Sequence, residues 1–287
     1  MNRNEHRKHV ILQRGQMLLI TILVLTVATT IALSLIGRAT QDISMSNQLE
    51  ESTRAFDAAE AGIESALKTG ASASNVAVGT GANYSVTVNS IGGAAGVFQS
   101  AQKTPQGTTE TIWLVNHTAA GAVDETPVYT ATTLPVCWSQ PSAGGVKAAL
   151  VIGVLYKKGT DGTYRMARVA ADPDAASRSN NFDAAVGVGG CGLGDFQTTL
   201  NFTTLGLTLS GASADTLLAL RIRPEYADTT LAIDGGVTGI PSQGNVIEST
   251  GTTGTGVSRK VLVYQQYRAA AGIFDSVIYS QTNFGHN

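Results

Sequence analysis

Four histidines and two cysteines are the residues best suited to nucleophilic, acid–base or zinc chemistry, and their spacing favours none of it. His6 and His9 stand in a basic N-terminal stretch, which leaves His117 and His286, neither beside a recognisable nucleophile motif. Cys137 and Cys191 are remote from both in sequence, so no zinc-ligand spacing is present. Asp172-Pro173-Asp174 could offer oxygens to calcium, yet the acidic loop of a calcium hand is missing and a solvated turn is the simpler reading. Gly187, Gly189 and Gly192 satisfy a dinucleotide-binding spacing. That motif must follow a strand and open a helix, whereas SRSNNFDAA precedes this one and the strand-like DFQTTLNFTTLGLTL follows, which reads as a loop. No catalytic residue, metal site or cofactor is expected, and the chain reads as a non-enzyme.

The elements that would have to position any such groups fall into two regimes. Over 287 residues the charged fraction is 14%, the aromatic fraction 6%, the formal charge −2, and Gly numbers 32. A Gly- and Thr-rich composition of this kind belongs to strands and turns, and near-neutral charge argues against a nucleic-acid partner. The exception is the N-terminus. Residues 17–36, MLLITILVLTVATTIALSLI, carry no charge, and as a helix would be roughly 30 Å long, the thickness of a bilayer core. Thr21, Thr26, Thr29, Thr30 and Ser34 are tolerable there because each hydroxyl can bond a carbonyl one turn back. Arg3, Arg7, Lys8 and Arg14 precede the span, while acidic residues dominate 38–68, which places the N-terminus in the cytoplasm and the remainder outside. A secretory signal peptide has a shorter apolar core, and this run continues into IGRATQDIS.

From Arg38 to Lys68 there is no Pro, and Ile36, Ile43, Leu49, Phe56, Ala59, Ile63, Ala66 and Leu67 fall largely at helical steps. One helix is therefore expected from about Met17 to Lys68, apolar all round in its first half and amphipathic in its second. Ile43, Leu49, Phe56, Ala59, Ile63 and Leu67 would face a sheet of the same chain. Gly70 and the Ala/Ser/Gly run to Gly81 signal the stop.

Beyond Gly81 the pattern shortens to strands: 82–90, 109–116, a hairpin over 146–170 turning at Asp161-Gly162, 196–209, 216–223, 229–233, and a pair, 244–249 and 257–268, joined by an exposed turn at 250–256. In an oxidising compartment Cys137 and Cys191 would close a loop of about 54 residues, worth about 3–4 kcal/mol, with two packed free thiols as the alternative. Asn83, Asn116 and Asn201 begin glycosylation sequons. Trp113, Trp138, Tyr226 and Tyr264 are candidates for an adhesive face or, as readily, for core packing.

A short basic leader ending in Gly15, the apolar helix directly after it, and STRAFDAAEAGIESAL at Ser52 to Leu67 together resemble the N-terminal region of PilX-type minor pilins and the related large minor pseudopilins. The resemblance covers roughly the first 70 residues. It implies an α+β pilin-like fold: leader 1–15, a long helix 16–70 with its transmembrane segment at 17–36, and an exported, antiparallel β-rich head at 71–287. It also implies cleavage between Gly15 and Gln16 by a prepilin peptidase and methylation of Gln16. In the filament, helices would pack through Met17, Leu18, Ile20, Leu23, Leu25, Ile31 and Leu35. Partners would be other pilins or pseudopilins, the prepilin peptidase, the inner-membrane assembly platform and the membrane itself.

Two positions depart from the family pattern. Ile20 stands at the fifth mature position, where most major pilins carry Glu, and Gln16 replaces the commoner Phe or Met. An unpaired carboxylate would be costly in an apolar filament core, and a subunit with neighbours on one side only needs fewer such pairs. The departures therefore point to an initiating or tip subunit, with adhesion as a further task. The alternative is a signal-anchored extracellular enzyme or carbohydrate-binding domain with no filament role.

Overall fold

A computed structural model of the chain describes residues 14–118, 121–142, 144–187, 191–192 and 196–275. The leader upstream of Arg14, His286 and three residues of the glycine loop (188–190) lie outside the described residues. The first element is a single helix, α1 (Arg14–Thr69), 56 residues long. At 1.5 Å per residue it extends about 84 Å. It contains no Pro and ends where expected: Gly70, at φ +68°, donates its N–H to the Ala66 carbonyl at 2.7 Å, a left-handed cap that costs a residue without Cβ least.

The strands that follow are β1 (Ala73–Val78), β2 (Ala82–Gly92), β3 (Val97–Gln99), β4 (Glu110–Trp113), β5 (Val115–His117), β6 (Val123–Pro127), β7 (Thr133–Trp138), β8 (Ala149–Lys157), β9 (Tyr164–Asp172), β10 (Asp183–Ala184), β11 (Phe196–Asn201), β12 (Thr216–Glu225), β13 (Leu231–Asp234), β14 (Ser242–Thr253) and β15 (Ser258–Gln266). A short helix, α2 (Ala175–Arg178), follows β9, and a 3-10 turn over Gly272–Asp275 follows β15. The coarse expectation is met: one long apolar N-terminal helix and a β-rich, antiparallel head. By its internal contacts the chain divides into two compact units. The first takes in the chain up to Thr87 together with Glu248–Val261, and the second Val88–Ile247 and the chain from Leu262.

In the first unit α1 lies on parts of β1, β2, β14 and β15, which hydrogen-bond in that order. Touching distance between backbones is what selects the residues. A Cβ added to Gly62 would stand 2.2 Å from Ser249 Oγ and 2.8 Å from the Tyr84 ring, and one added to Gly251 only 2.0 Å from the Ala55 carbonyl oxygen. The buried face of the helix is accordingly Ala55, Ala58, Ala59, Ile63 and Ala66, none more than 7% exposed. This corrects the expected set. Ala59 and Ile63 face the sheet, whereas Ile43, Leu49, Phe56 and Leu67 stand 61, 70, 43 and 47% exposed and lie off the buried face, which is set by the close approach at Ala55, Ala58, Ala59 and Gly62. Polar ties border the contact: Glu51 accepts from Thr255 Oγ1 at 2.6 Å, and Arg259 Nε donates to Ser52 Oγ at 2.8 Å. The Thr255 hydroxyl, with Thr253 and Arg54, holds the Glu51 carboxyl below its ordinary range.

The second unit is a sandwich. A five-stranded sheet of order β10-β9-β8-β12-β4 faces a four-stranded sheet of order β11-β7-β13-β3, and β5 with β6 form a separate pair. Residues alternate across the pleat. Leu150, Ile152, Val154 and Tyr156 of β8 and Leu134, Val136 and Trp138 of β7 enter one core with Leu220, Ile222, Phe196 and Leu231. The expected hairpin forms between β8 and β9, with Gly162 at φ +69° and Asp161 Oδ1 accepting from the Thr163 N–H at 2.9 Å. Asp215 is buried beneath it. Burial pushes its carboxyl up, but the Gly159 and Thr208 N–H groups and the Lys158 ammonium outweigh that and leave its pKa below the usual value.

Candidate functional site

The polar residues singled out by type form no reactive constellation. His117 ends β5 with its ring stacked on Tyr267 at 3.9 Å and edge-on to Trp113 at 4.6 Å, and neither ring nitrogen has a hydrogen-bond partner. Burial lowers its pKa below the ordinary histidine value. Asp172 is engaged by Arg178 at 2.8 Å and Asn180 at 2.7 Å, and Asp174 by Lys147 at 2.6 Å, which spends the carboxylates considered for calcium on structural pairs. Among the described residues no group of three His, Cys, Asp or Glu side chains could hold a metal. Among the described residues, the element that follows the glycine stretch is strand β11 and not a helix. Cys191, at φ +58°, is bonded to Cys137 of β7 with Cα atoms 6.1 Å apart, so the disulfide alternative is the one formed and it ties this loop to the sandwich.

The aromatic candidates separate. Trp138 is fully buried, its Nε1 donating to the Ala148 carbonyl at 2.8 Å. Tyr226 lies under the Arg178 guanidinium, 4.1 Å from the ring centre, while Tyr264 is exposed and Trp113 half-buried. Asn83, Asn116 and Asn201 are all exposed. Several buried ion pairs carry no mark of their pairing in the sequence, and one of them ties down the chain after β15. Arg221, 7% exposed on the outer face of β12, binds the Asp275 carboxylate, Thr111 Oγ1 at 3.2 Å and the Ala270 carbonyl at 2.8 Å, and so holds the segment after β15 against the sheet. An arginine alternating with aliphatic residues in TLLALRIRP was the available signal.

The surface that demands a functional explanation is the first half of α1. Gly15 and Gln16 lie in its opening turn. Met17, Leu18, Ile20, Leu23, Leu25, Ile31 and Leu35 are uncovered, from 49% exposed at Ile20 to 72% at Met17. Leaving so many large apolar groups to water would forfeit the main driving force of folding. The polar atoms of the span are turned inward: Thr21 bonds the Met17 carbonyl at 3.0 Å, Thr26 that of Leu23 at 2.9 Å, Thr29 that of Leu25 at 2.9 Å and Thr30 that of Val27 at 2.8 Å. A helix with its four threonine hydroxyls bonded to its own carbonyls and its apolar side chains outward suits lipid or the apolar flanks of other helices. α1 is the one described helix long and apolar enough to cross a membrane. Compared with family models, with curated proteins and with solved structures, the chain matches none of them.

Proposed function

We propose that the chain is a minor pilin or pseudopilin. It would be processed at Gly15, anchored in the cytoplasmic membrane by residues 16–37 with its head outside, and then extracted into a type IV pilus-like filament. The observation that carries this reading is the division of labour along one unbroken helix. The first half of α1 has every large apolar side chain uncovered, while residues 55–66 seat a small-residue face on strands of the same chain. A plain anchor has no need of such a rigid join. In a filament, the same join would transmit the packing of the apolar halves to the exported sheets. AFDAAEAG, the core of the family resemblance, coincides with that buried face at Ala55, Ala58, Ala59 and Gly62.

The proposed tasks are initiation or a tip position, since Ile20 supplies no carboxylate for a repeating contact inside an apolar core. Other pilins or pseudopilins, the prepilin peptidase and the inner-membrane assembly platform are the proposed partners. The test is the mass of the N-terminus after co-expression with a prepilin peptidase. The wild-type chain is expected to begin at Gln16 and the Gly15→Leu chain to remain unprocessed. Retention of residues 1–15 in both would favour a plain signal anchor, and cleavage beyond Gly37 would exclude filament assembly.

A further inference from the structure

Two neighbouring cavities of about 230 and 240 Å³ lie in the second unit and have Glu110 and Gln266 in common among their lining residues. Each is somewhat smaller than a typical small-molecule site of about 300–1,000 Å³ and is of a size for a single sugar ring. The first runs between β4 and the segment after β15, with Trp113 and Tyr267 on its walls. The second is bordered by Tyr264, Gln102, Lys103 and Thr108. We infer that this double cavity is a binding site for a neutral oligosaccharide, one sugar ring in each half.

Four features carry the assignment. The aromatic walls are fixed in advance, because His117 is stacked on one face of Tyr267 and packs against Trp113 with the ring planes at 80°, so two rings that line the first cavity are held in place as apolar walls for a sugar ring. The edge of β4 offers a ligand main-chain hydrogen bonds at one residue, Thr111. Trp113 directs its N–H and C=O away from β12, where the Gln243 amide meets them at 2.7 and 2.9 Å, and by strand alternation Thr111 turns its main-chain groups the same way, along the cavity. At the junction stand one carboxylate and one amide, the planar groups that bridge neighbouring hydroxyls, and Glu110 is oriented by a 3.1 Å hydrogen bond from Thr104 Oγ1. The charge is balanced, with Lys103 against Glu110, so neither an anionic nor a cationic ligand is selected. An extended peptide fits less well: Gly272 lies against Thr109 at one end of the first cavity and Gln243 blocks β4 at the other, leaving no run of free edge.

This inference rests on the reading of an exported head and gives that head a ligand class. The full chain, held in a zwitterionic detergent without sugar head groups, would be applied to an array of neutral di- to tetrasaccharides of glucose, galactose and N-acetylglucosamine. The best of these would then be titrated calorimetrically. Wild-type binding is expected, weakened at least tenfold by Gln266→Ala and by Tyr264→Ala and unchanged by Tyr226→Ala, with both cavity variants retaining the wild-type unfolding transition. The inference is overturned if no neutral glycan binds at millimolar concentration, if the two cavity variants bind as the wild type does, or if only acidic glycans or extended peptides bind. Processing at Gly15 is read separately. Glycan binding by an unprocessed chain removes the filament reading alone, and processing without glycan binding removes this one alone.

Discussion

The two units bury apolar surface by opposite means. In the second, large side chains such as Trp138, Phe202 and Leu220 interdigitate between two sheets, and volume fills the core. In the first, Ala55, Ala58, Ala59 and Gly62 bring a helix down to the backbone at Gly251, and the absence of volume makes the contact. The difference shows how one chain can hold a long helix rigidly at one end while leaving the large apolar residues of the other end uncommitted. Apart from Ile63, the large aliphatic side chains of the helix lie outside the intramolecular contact and remain available to lipid or to neighbouring helices.

The largest expected effect is at the small-residue contact. Gly251→Val places new atoms where the Ala55 carbonyl already stands, so helix and strand must part. The cost should exceed the about 1–3 kcal/mol usual for overpacking, and hydrogen exchange should show protection lost over residues 52–66 while β8 and β12 keep theirs. Uniform loss across both units would break the comparison. Second, the Cys137→Ser, Cys191→Ser double variant is expected to lose about 3–4 kcal/mol of stability, read by denaturant titration, with the effect confined to the second unit.

Third, the His117 pKa is lowered by burial, so the unfolded chain binds the proton more readily than the folded one. The stabilising neutral form is fully present above the unfolded value near 6.5 and is lost as pH falls from there towards the lower folded value. His117→Phe should therefore flatten the fall in stability between pH 7 and 5, and an unchanged slope would contradict the burial argument. The smallest effect is expected at Ser249, whose buried hydroxyl beneath Gly62 has no partner. Ser249→Ala should raise stability by at most about 1 kcal/mol, measured as a shift in the unfolding midpoint.

The helix was legible because its signals are local. Charge-free length, an uninterrupted pattern and Gly70 define α1 to within a few residues of the observed Arg14–Thr69. Its buried face was misread, since a search for large apolar residues at helical spacing picks Ile43, Leu49, Phe56 and Leu67, and nothing local announces that a glycine in a distant strand will press on Ala55. For the same reason 250–256 was read as a turn too rich in Gly and Thr for a core. β14 in fact continues to Thr253, and Gly251 is what admits the helix. β1 lies within the Ala/Ser/Gly run that signals the helix stop, and β7 is obscured by Pro135, which stays paired with Thr199 of β11 while the ladder to β13 ends at Val136. The expected strand at 109–116 divides at Leu114 between two sheets, a tertiary event with no sequence mark. The double cavity was half visible: Trp113 and Tyr264 were marked as aromatics, while Tyr267, Gln266 and Glu110 join them only through the folding of β4 beside the end of β15.

The most direct test of the central claim, that the uncovered half of α1 serves a filament, is quantitative mass spectrometry of filaments sheared from cells expressing the chain beside its assembly machinery, with the Gly15→Leu variant in parallel. The account predicts the wild-type chain, beginning at Gln16 and far below the stoichiometry of the shaft subunit, in the sheared fraction, and its loss from that fraction in the variant. A chain found only in the membrane fraction, with residues 1–15 still attached, would contradict it.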